Sequence, residues 1–233
     1  MAIAKKEIPL ARSMCWHCQS DIGGEYFCQQ CVKVQPLSKD IDYFTAVGLP
    51  RKLNIDTGLL ETKFYEMSRA FHPDFYEGKT EMERAVSLTN SATLNQAYHT
   101  LKDPIERVEY LLRLEAGSVK EITGKPPTEL FETLLEIQEQ LDELQSVKAQ
   151  TGTPSQELIG KLRAEHSTLE ATRGTLERRL AELFQLWDRL VDRSAGDQAQ
   201  KTEKEQVLKQ MRDILSQRNY LNTMLAHIAG ALE

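Results

Sequence analysis

Residues 57–102 read TGLLETKFYEMSRAFHPDFYEGKTEMERAVSLTNSATLNQAYHTLK, and this stretch determines how the first half of the chain folds. Apolar residues recur in it at helical spacing on both sides of a His-Pro-Asp tripeptide at residues 72–74. The residue before a proline avoids the α-helical region, so the first helix should end at the tripeptide. A capping box formed by Thr80 and Glu83 then starts a second helix. The stretch predicts two antiparallel helices that flank an exposed loop.

Capping residues set the other ends of these helices. Asp56 can cap the first helix, which ends near Phe71, and the second helix runs to about Lys102. Asp103 caps a short third helix, in which Pro104 takes the first helical position, where its missing N–H costs nothing. The sequence therefore predicts a hairpin followed by one short helix.

Composition separates four regions of the 233-residue chain. Residues 1–37 contain all four cysteines, and residues 38–117 contain the capped helices. Glycine and prolines interrupt residues 118–127, which we interpret as a linker. Residues 128–233 are long amphipathic helix, and a strand signal is almost absent throughout. The predicted fold class is all-α.

The last region contains three predicted helices. Thr128 caps the first, and Thr153 with Gln156 opens the second, which reaches about Arg193 and kinks or breaks near Gly174. A final helix fills the rest of the chain. Three helices joined by short breaks predict a three-helix bundle.

Charge and hydropathy exclude some classes of function. The net charge of −6 and the sequence pI of about 5.5 argue against a nucleic-acid binder. No apolar run reaches the roughly 20 residues that a membrane helix needs. The stretch Met1 to Met14 lacks the apolar core of a secretory signal, although the sequence leaves an organellar peptide open. The expected compartment is the cytoplasm, or the mitochondrial matrix if the chain is eukaryotic.

The four cysteines form two C-x-x-C pairs nine residues apart, namely Cys15, Cys18, Cys28 and Cys31. Four thiolates can close a tetrahedral shell around one structural zinc ion, which is the reading we favour. Redox chemistry, an iron site of the rubredoxin type and direct handling of a cluster remain alternatives. Neither pair is followed by the glycine that is common in zinc ribbons, so the pattern leaves the module's detailed fold open.

Several short motifs around the tripeptide resemble a J domain over about residues 42–114. They are Asp-Tyr-Phe at 42–44, Gly-Leu-Pro at 48–50, Asn-Gln-Ala-Tyr at 95–98 and Leu-Lys-Asp-Pro at 101–104. The resemblance implies that the loop and the preceding helix contact a DnaK-class chaperone and trigger its ATP hydrolysis. Carried over residue by residue, the contacts would come from His72, Pro73 and Asp74, with Lys63 and Arg69 on the helix.

Other residues narrow the resemblance to the HscB type. These are the stretch at 91–98, the Tyr-Leu-Leu ending at 110–112, and the cysteine segments at 15–18 and 26–31. HscB proteins are J-type co-chaperones of iron–sulfur cluster assembly that have a J domain and a C-terminal three-helix bundle. Some of them add an N-terminal tetracysteine module. The resemblance covers about residues 15–145 closely and the remainder more loosely.

Helical spacing separates two faces on the first bundle helix. The predicted core face is apolar and comprises Leu130, Leu134, Ile137, Leu141 and Leu144. The opposite face is acidic and comprises Glu132, Glu136, Glu139 and Glu143. Like charges one helical turn apart repel each other by a few tenths of a kcal/mol per pair, so this stripe favours a basic partner.

Phe131 and Leu135 flank the acidic stripe, and on the last helix Tyr220 is predicted to point away from the core with Met224 nearby. An aromatic anchor with a charged rim is typical of a binding patch. The alternative is a solvated acidic face on which both apolar residues pack against the adjacent helix. The HscB resemblance implies a scaffold-binding face formed by Phe131, Leu135, Glu136, Glu139, Glu143 and Tyr220.

The resemblance implies an adaptor with no enzymatic activity of its own. It would stimulate ATP hydrolysis by a DnaK/HscA-class chaperone and deliver an iron–sulfur cluster scaffold protein (IscU-like) to it. The sequence itself contains no phosphate loop and no nucleophile elbow. The alternative is a zinc-containing helical interaction protein with a J-like domain that is not tied to cluster assembly. No nucleic-acid or membrane partner is expected, and self-association stays open.

Overall fold

The computed structural model describes residues 14–23, 25–116, 124–150, 152–193 and 198–233. The chain divides into two compact units, Met1–Ser118 and Val119–Glu233. The described residues contain seven α-helices and two short 3-10 helices. Within these residues the only β structure is a pair of isolated bridges, between Met14 and Asp21 and between Phe27 and Val34. The all-α prediction is confirmed.

The first unit contains four helices, which are α1 (Tyr43–Ala46), α2 (Thr57–Phe71), α3 (Glu81–Lys102) and α4 (Pro104–Ala116). A 3-10 helix, Pro73–Tyr76, joins α2 to α3. The Asp56 carboxylate accepts from the first backbone N–H groups of α2, and the Thr80–Glu83 capping box opens α3. The predicted hairpin and its caps are therefore confirmed.

Helix α3 lies at the centre of this unit, because α1, α2 and α4 all pack against it. The core is aromatic and aliphatic, with fully buried Phe44, Phe71 and Leu94. The buried Arg107 donates from Nε to the Leu101 carbonyl at 2.7 Å, which fixes the turn from α3 to α4. Because a buried backbone carbonyl needs a donor, Arg107 acts as a cap for the end of α3.

The second unit is a three-helix bundle of α5 (Phe131–Gln150), α6 (Gln156–Asp192) and α7 (Gln198–Leu232). The bundle prediction holds, but both predicted caps are wrong. A 3-10 turn capped by Pro127 without a side-chain hydrogen bond precedes α5, so Thr128 caps nothing. Ser155 caps α6 through the Leu158 N–H in place of Thr153, because its hydroxyl lies closer to the first turn.

Helix α6 continues through Gly174 without the break that glycine suggested. A single glycine costs about 1 kcal/mol in a helix, and packing against α7 along the length of α6 offsets that cost. None of the helices among the described residues is long and apolar enough to cross a membrane.

The apolar face predicted for α5 does form the bundle core. Leu134, Ile137, Leu141 and Leu144 are buried, and Leu130 packs at the edge of the same cluster. The prediction for α7 was wrong in part, because Met224 is buried and Tyr220 is half-buried against the core. Helix α7 packs against both α5 and α6. Its apolar stripe is therefore wider than that of a helix with one neighbour, and it includes Met224 and part of Tyr220.

Candidate metal centre, HPD turn and bundle face

The four predicted cysteine ligands meet at one point, with their Sγ atoms all within 4.8 Å of one another. The Sγ atoms of Cys15 and Cys31 are 3.6 Å apart, and those of Cys18 and Cys28 are 3.5 Å apart. A tetrahedral zinc site with metal–sulfur distances of about 2.3 Å requires sulfur–sulfur distances of about 3.8 Å. The cluster therefore has the donor set and the size for one tetrahedral ion. Cys15 and Cys28 are buried, whereas Cys18 is exposed.

Hydrogen bonds and burial set the ionisation of these thiols. The Ser20 hydroxyl lies 3.1 Å from the sulfur of Cys28 and lowers its pKa to about 6. Burial opposes ionisation of Cys15, but backbone N–H groups donate to its sulfur and lower its pKa overall. Burial raises the pKa of Cys31 to about 12. Holding four thiolates together therefore requires a cation. A metal ion inside the closed thiolate shell would supply that charge and act as a structural cross-link.

The two cysteine knuckles repeat the same backbone turn. The Gln19 N–H donates to the Cys15 carbonyl at 3.1 Å, and the Val32 N–H donates to the Cys28 carbonyl at 2.8 Å. Gln19 and Val32 have φ values of 63° and 58°, in the left-handed region that favours glycine. These are the two positions, directly after each C-x-x-C pair, at which zinc ribbons commonly have glycine. The module therefore keeps the knuckle turn with strained backbone.

The predicted chaperone-binding loop forms a tight structure, which we call the HPD turn (residues 72–76). His72 ends α2 with extended backbone, and Pro73 takes the first position of the 3-10 helix. Immediately before the turn, the buried Phe71 carbonyl accepts hydrogen bonds from the hydroxyls of Ser87 at 2.7 Å and Ser91 at 2.8 Å. Two side chains of α3 thus fix the point at which the turn leaves α2.

Three side chains of the HPD turn, those of His72, Asp74 and Phe75, point outward, whereas Tyr76 is buried. The side chains of His72 and Asp74 are 52% and 74% exposed, with His72 Nδ1 lying 3.5 Å from Asp74 Oδ2. Phe75 is 66% exposed, and its ring centroid lies 6.0 Å from that of His72. The turn therefore presents an imidazole, a carboxylate and an aromatic ring on a backbone that is fixed from behind.

The two basic residues proposed on α2 do not share one face. Arg69 is exposed in the last turn of the helix, beside the HPD turn. Lys63 is half-buried and lies roughly 13 Å along the axis from His72. Arg69 is six positions after Lys63, which places the two side chains roughly 120° apart around the helix. The structure brings Arg69 to the turn and leaves Lys63 away from it.

The bundle face, comprising the six residues predicted to bind the scaffold, is mostly exposed. Phe131 and Leu135 are 56% and 52% exposed, whereas the alternative expected the adjacent helix to cover them. The acidic side chains beside them are exposed too, namely Glu132, Glu136, Glu139 and Glu143. Tyr220 lies beside the segment that leads into α5, because a Cβ added at Gly124 would come within 3.0 Å of the Tyr220 backbone nitrogen. The Lys125 N–H donates to the Ser216 carbonyl one turn before Tyr220.

Sequence reasoning missed several residues that support these sites. Ser87 and Ser91 lie one turn apart on the buried side of a helix, which was the available signal for a hydrogen-bonding role. Phe75 directly follows the tripeptide, and an aromatic residue in a predicted exposed loop was a further signal. Ser20 carried no signal, because its position between two sulfurs depends on how the two knuckles fold together.

No protein-family model matches the chain. Curated relatives do match in sequence, among them three HscB co-chaperones. The chain is 33% identical over 140 residues to the iron–sulfur cluster co-chaperone protein HscB of Mus musculus, covering 58% of this chain and 60% of the relative. It is 36% identical over 106 residues to the co-chaperone protein HscB of Proteus mirabilis, covering 45% and 61%. It is 34% identical over 130 residues to the HscB homologue of Arabidopsis thaliana, covering 55% and 51%. The chain thus spans about half to three fifths of the length of these relatives.

Two solved structures share the fold. Human HscB superposes with a TM-score of 0.64 at 22% identity, covering 93% of this chain and 96% of that one. HscB from Vibrio cholerae superposes with a TM-score of 0.52 at 24% identity, covering 81% and 96%. The chain thus resembles HscB co-chaperones in sequence and shares the fold of the solved HscB structures. Its four clustered cysteines fit the tetracysteine version, as the sequence predicted.

Proposed function

We propose that this protein is a J-type co-chaperone that stimulates ATP hydrolysis by a DnaK/HscA-class chaperone and delivers an iron–sulfur cluster scaffold protein (IscU-like) to it. The observation that carries the proposal is the HPD turn, in which His72, Asp74 and Phe75 face solvent. Two hydroxyls of α3 fix the Phe71 carbonyl directly before it. The names of the matched relatives, which are co-chaperones and in one case an iron–sulfur cluster co-chaperone, support the same conclusion.

In this proposal the HPD turn acts on the chaperone by preferring one of its conformations. His72 and Asp74 supply polar contacts, Pro73 fixes the backbone, and Phe75 adds an apolar anchor beside the imidazole. Such contacts accelerate hydrolysis only if they are stronger in the hydrolysis-competent state. The ATPase chemistry belongs to the chaperone, so this chain activates an enzyme without being one.

The bundle face is the proposed docking site for the scaffold protein. Exposed apolar side chains beside an acidic stripe fit a partner that offers an apolar pocket rimmed by lysine or arginine. Holding the scaffold on the same chain as the HPD turn raises its effective concentration at the chaperone. The compartment we propose is the cytoplasm, or the mitochondrial matrix if the chain is eukaryotic.

Zinc is the proposed occupant of the thiol cluster, bound by Cys15, Cys18, Cys28 and Cys31 as a structural cross-link. A shell closed by four thiolates leaves no open position for a substrate. The test is elemental analysis of the purified protein, where one equivalent of zinc is the expected result. A coloured sample that contains iron would contradict it.

The test of the whole proposal is the steady-state ATPase of a DnaK-class cluster-assembly chaperone, measured with this protein and with or without the scaffold. We expect each addition to stimulate hydrolysis and the two together to exceed the sum of their separate effects. His72→Gln should abolish stimulation, whereas His99→Gln, on the exposed side of α3, should leave it unchanged.

Leu135→Ala tests the bundle face separately. We expect scaffold affinity to fall by about tenfold to a hundredfold, because truncating a central apolar anchor costs about 1–3 kcal/mol of binding. Leu88→Ala makes the same change at another exposed leucine and should leave scaffold binding intact. Stimulation that ignores the scaffold would indicate a J protein outside cluster assembly. A cognate chaperone that does not respond at all would favour the alternative, a zinc-containing helical interaction protein.

A further inference from the structure

Two buried amide side chains connect the tetracysteine module to α3. The Asn90 side chain, fully buried on α3, donates from Nδ2 to the Gln35 carbonyl at 2.9 Å. Its Oδ1 accepts from the Leu37 N–H at 3.0 Å. Both ends of this amide are thus used by the segment that follows the second knuckle. A buried amide satisfied in this way holds the segment in one register on the helix.

Gln35 carries the connection onward to the metal centre. Its side chain is fully buried, and its Nε2 lies 3.4 Å from the sulfur of Cys15 and 2.7 Å from the carbonyl of Lys33. Its Oε1 accepts from the Trp16 N–H at 3.3 Å. One glutamine therefore bonds to residues of the first knuckle and to the chain just after the second.

On the other side, α3 and the module together surround the base of the HPD turn. Asn90 is next to Ser91, whose hydroxyl holds the Phe71 carbonyl. The Phe71 ring meets the ring of Tyr26, a module residue, edge to face at 5.2 Å between centroids. Lys33 pairs at 2.8 Å with the buried Glu83, which also caps α3. The module thus contacts α3 at two points and Phe71 at a third.

We infer that Gln35 and Asn90 are positioning residues that make the order of the HPD turn depend on the metal bound to the four cysteines. The inference rests on the proposed metal site, and its consequence for the chaperone rests on the proposed function. It assigns to the module a role beyond its own stability, which is to fix the base of the turn.

The small size of the module is the physical reason that the order of the HPD turn should depend on the bound metal. Its buried apolar cluster consists of Cys15, Ile22 and Cys28, with Cys31 packed beside them, so two of the three fully buried members are ligands. So small a core does not hold two knuckles together without a cross-link. When the metal leaves, Gln35 loses its partners in the first knuckle, and Asn90 then holds a segment that is no longer anchored.

The expected response is local loosening and not unfolding of the hairpin. Ser87 and Ser91 reach Phe71 from α3 itself, so their hydrogen bonds do not depend on the module. The contacts that depend on it are those of Asn90, Glu83 and Tyr26. Losing one net buried hydrogen bond is worth about 1 kcal/mol, which is somewhat less than a tenfold change in a local opening equilibrium.

Amide hydrogen exchange on the full-length protein tests this inference. The protein is compared with one equivalent of Zn²⁺ and after removal of the metal by a chelator. We expect amides of the HPD turn and of the first half of α3 to exchange about tenfold faster without metal. Amides in the middle of α7 belong to the second unit and serve as the reference that should not change. Equal exchange at the HPD turn with and without metal would overturn the inference.

Three variants separate positioning from simple stability. Asn90→Ala keeps every cysteine, so Co²⁺ affinity followed by thiolate–cobalt absorption should stay within a few fold. Its HPD turn should exchange faster and respond less to metal than that of the parent, with the remaining response carried by Glu83 and Tyr26. Gln35→Met removes the amide at the Cys15 sulfur, so it should also weaken Co²⁺ binding by about tenfold. Ser87→Ala is the control, because it should speed exchange at the turn yet keep the metal response.

The outcomes distinguish this inference from the proposed function. Exchange is measured without the chaperone. If the HPD turn depends on metal but the protein fails to stimulate ATPase, only the proposed function is contradicted. Normal stimulation by a protein whose HPD turn does not respond to metal contradicts only the inference. A full metal response in Asn90→Ala does the same. A purified protein that binds neither Zn²⁺ nor Co²⁺ also overturns it.

Discussion

The HPD turn and the bundle face present exposed side chains in opposite ways. The turn has irregular backbone, and side chains from a distant part of the chain hold it from behind, as Ser87 and Ser91 do for Phe71. The bundle face lies on regular helices, mainly on α5, where Phe131 and Leu135 need only the core face of that helix beneath them. The difference teaches that substitutions behind the HPD turn should change stability and binding together. On the bundle face, a substitution can change binding without a comparable loss of stability. The predictions below test that contrast.

The largest effect is expected from the double variant Ser87→Ala, Ser91→Ala. It leaves the buried Phe71 carbonyl without either hydroxyl donor, and an unsatisfied buried carbonyl costs about 1–3 kcal/mol. We expect the free energy of unfolding of the first unit to fall by about 2–3 kcal/mol, with each single variant losing much less. The loss of stability is measured by urea unfolding, with hydrogen exchange of the α3 amides as the probe.

The matched control for this variant is Thr89→Ala, because Thr89 lies between the two serines on the exposed side of α3. Its hydroxyl bonds to a carbonyl of its own helix, so little stability should be lost. If the two single serine variants each lose as much as the double variant, the two hydroxyls do not share one acceptor, and the idea of a turn fixed from behind fails.

Acid should weaken the first unit through Glu83. The Lys33 ammonium holds the pKa of this buried carboxyl below its ordinary value, and the Thr80 hydrogen bonds act in the same direction. A carboxyl whose pKa is lower in the folded protein stabilises it fully above the unfolded pKa and loses that effect as pH falls through the folded pKa. We therefore expect the free energy of unfolding to decrease from about pH 5 downward.

Glu83→Gln isolates this contribution. The variant should be less stable than the parent by about 1–3 kcal/mol at pH 7, and the gap should shrink toward pH 3, where the parent's carboxyl is protonated. Both proteins are compared with one equivalent of Zn²⁺ and again without metal, because acid releases metal from thiolates and the contact of Glu83 with Lys33 depends on the module. A gap that stays constant with pH would show that the pair with Lys33 contributes little. Asp42, whose pKa is also lowered, leaves the variant some acid sensitivity.

The sequence predicted what depends on local pattern. Helix bounds followed from caps at Asp56 and Thr80, and the core face of α5 followed from helical spacing. The cysteine spacing predicted the thiol cluster. What depends on contacts between distant residues was not predictable, including the hydroxyl pair behind Phe71, the amides that join Gln35 to Asn90, and the position of Tyr220 against a core formed by two other helices.

Relieving backbone strain in the knuckles should change stability by a smaller amount than the variants above, and it should raise stability where they lower it. Val32 is β-branched, 75% exposed and held at a φ of 58°, which costs about 1–2 kcal/mol for a residue with a Cβ. Glycine removes that cost but adds about 0.5–1 kcal/mol of chain entropy in the unfolded state. Val32→Gly should therefore stabilise the metal-loaded first unit by about 0.5–1 kcal/mol in thermal or urea unfolding.

Gln19→Gly makes the matched change in the other knuckle, at a φ of 63°. Gln19 is not β-branched, so less strain is relieved and the net effect should be close to zero. A Val32→Gly protein that is less stable than the parent would show that the surroundings relieve the strain at Val32. No position of the bundle face offers such a gain, because every residue there has regular helical backbone.

The smallest change in stability is expected on the acidic stripe, where binding and stability should move in opposite directions. Glu139 lies one turn from both Glu136 and Glu143, so Glu139→Gln should raise the free energy of unfolding of the second unit by a few tenths of a kcal/mol. The same variant should bind the scaffold more weakly and with less dependence on salt, because one charge of the rim is gone. Glu205→Gln removes an exposed charge elsewhere on α7 and should change neither property appreciably. If Glu139→Gln gains stability and keeps its affinity, the stripe is a solvated face, and only Phe131, Leu135 and Tyr220 remain as the proposed contacts.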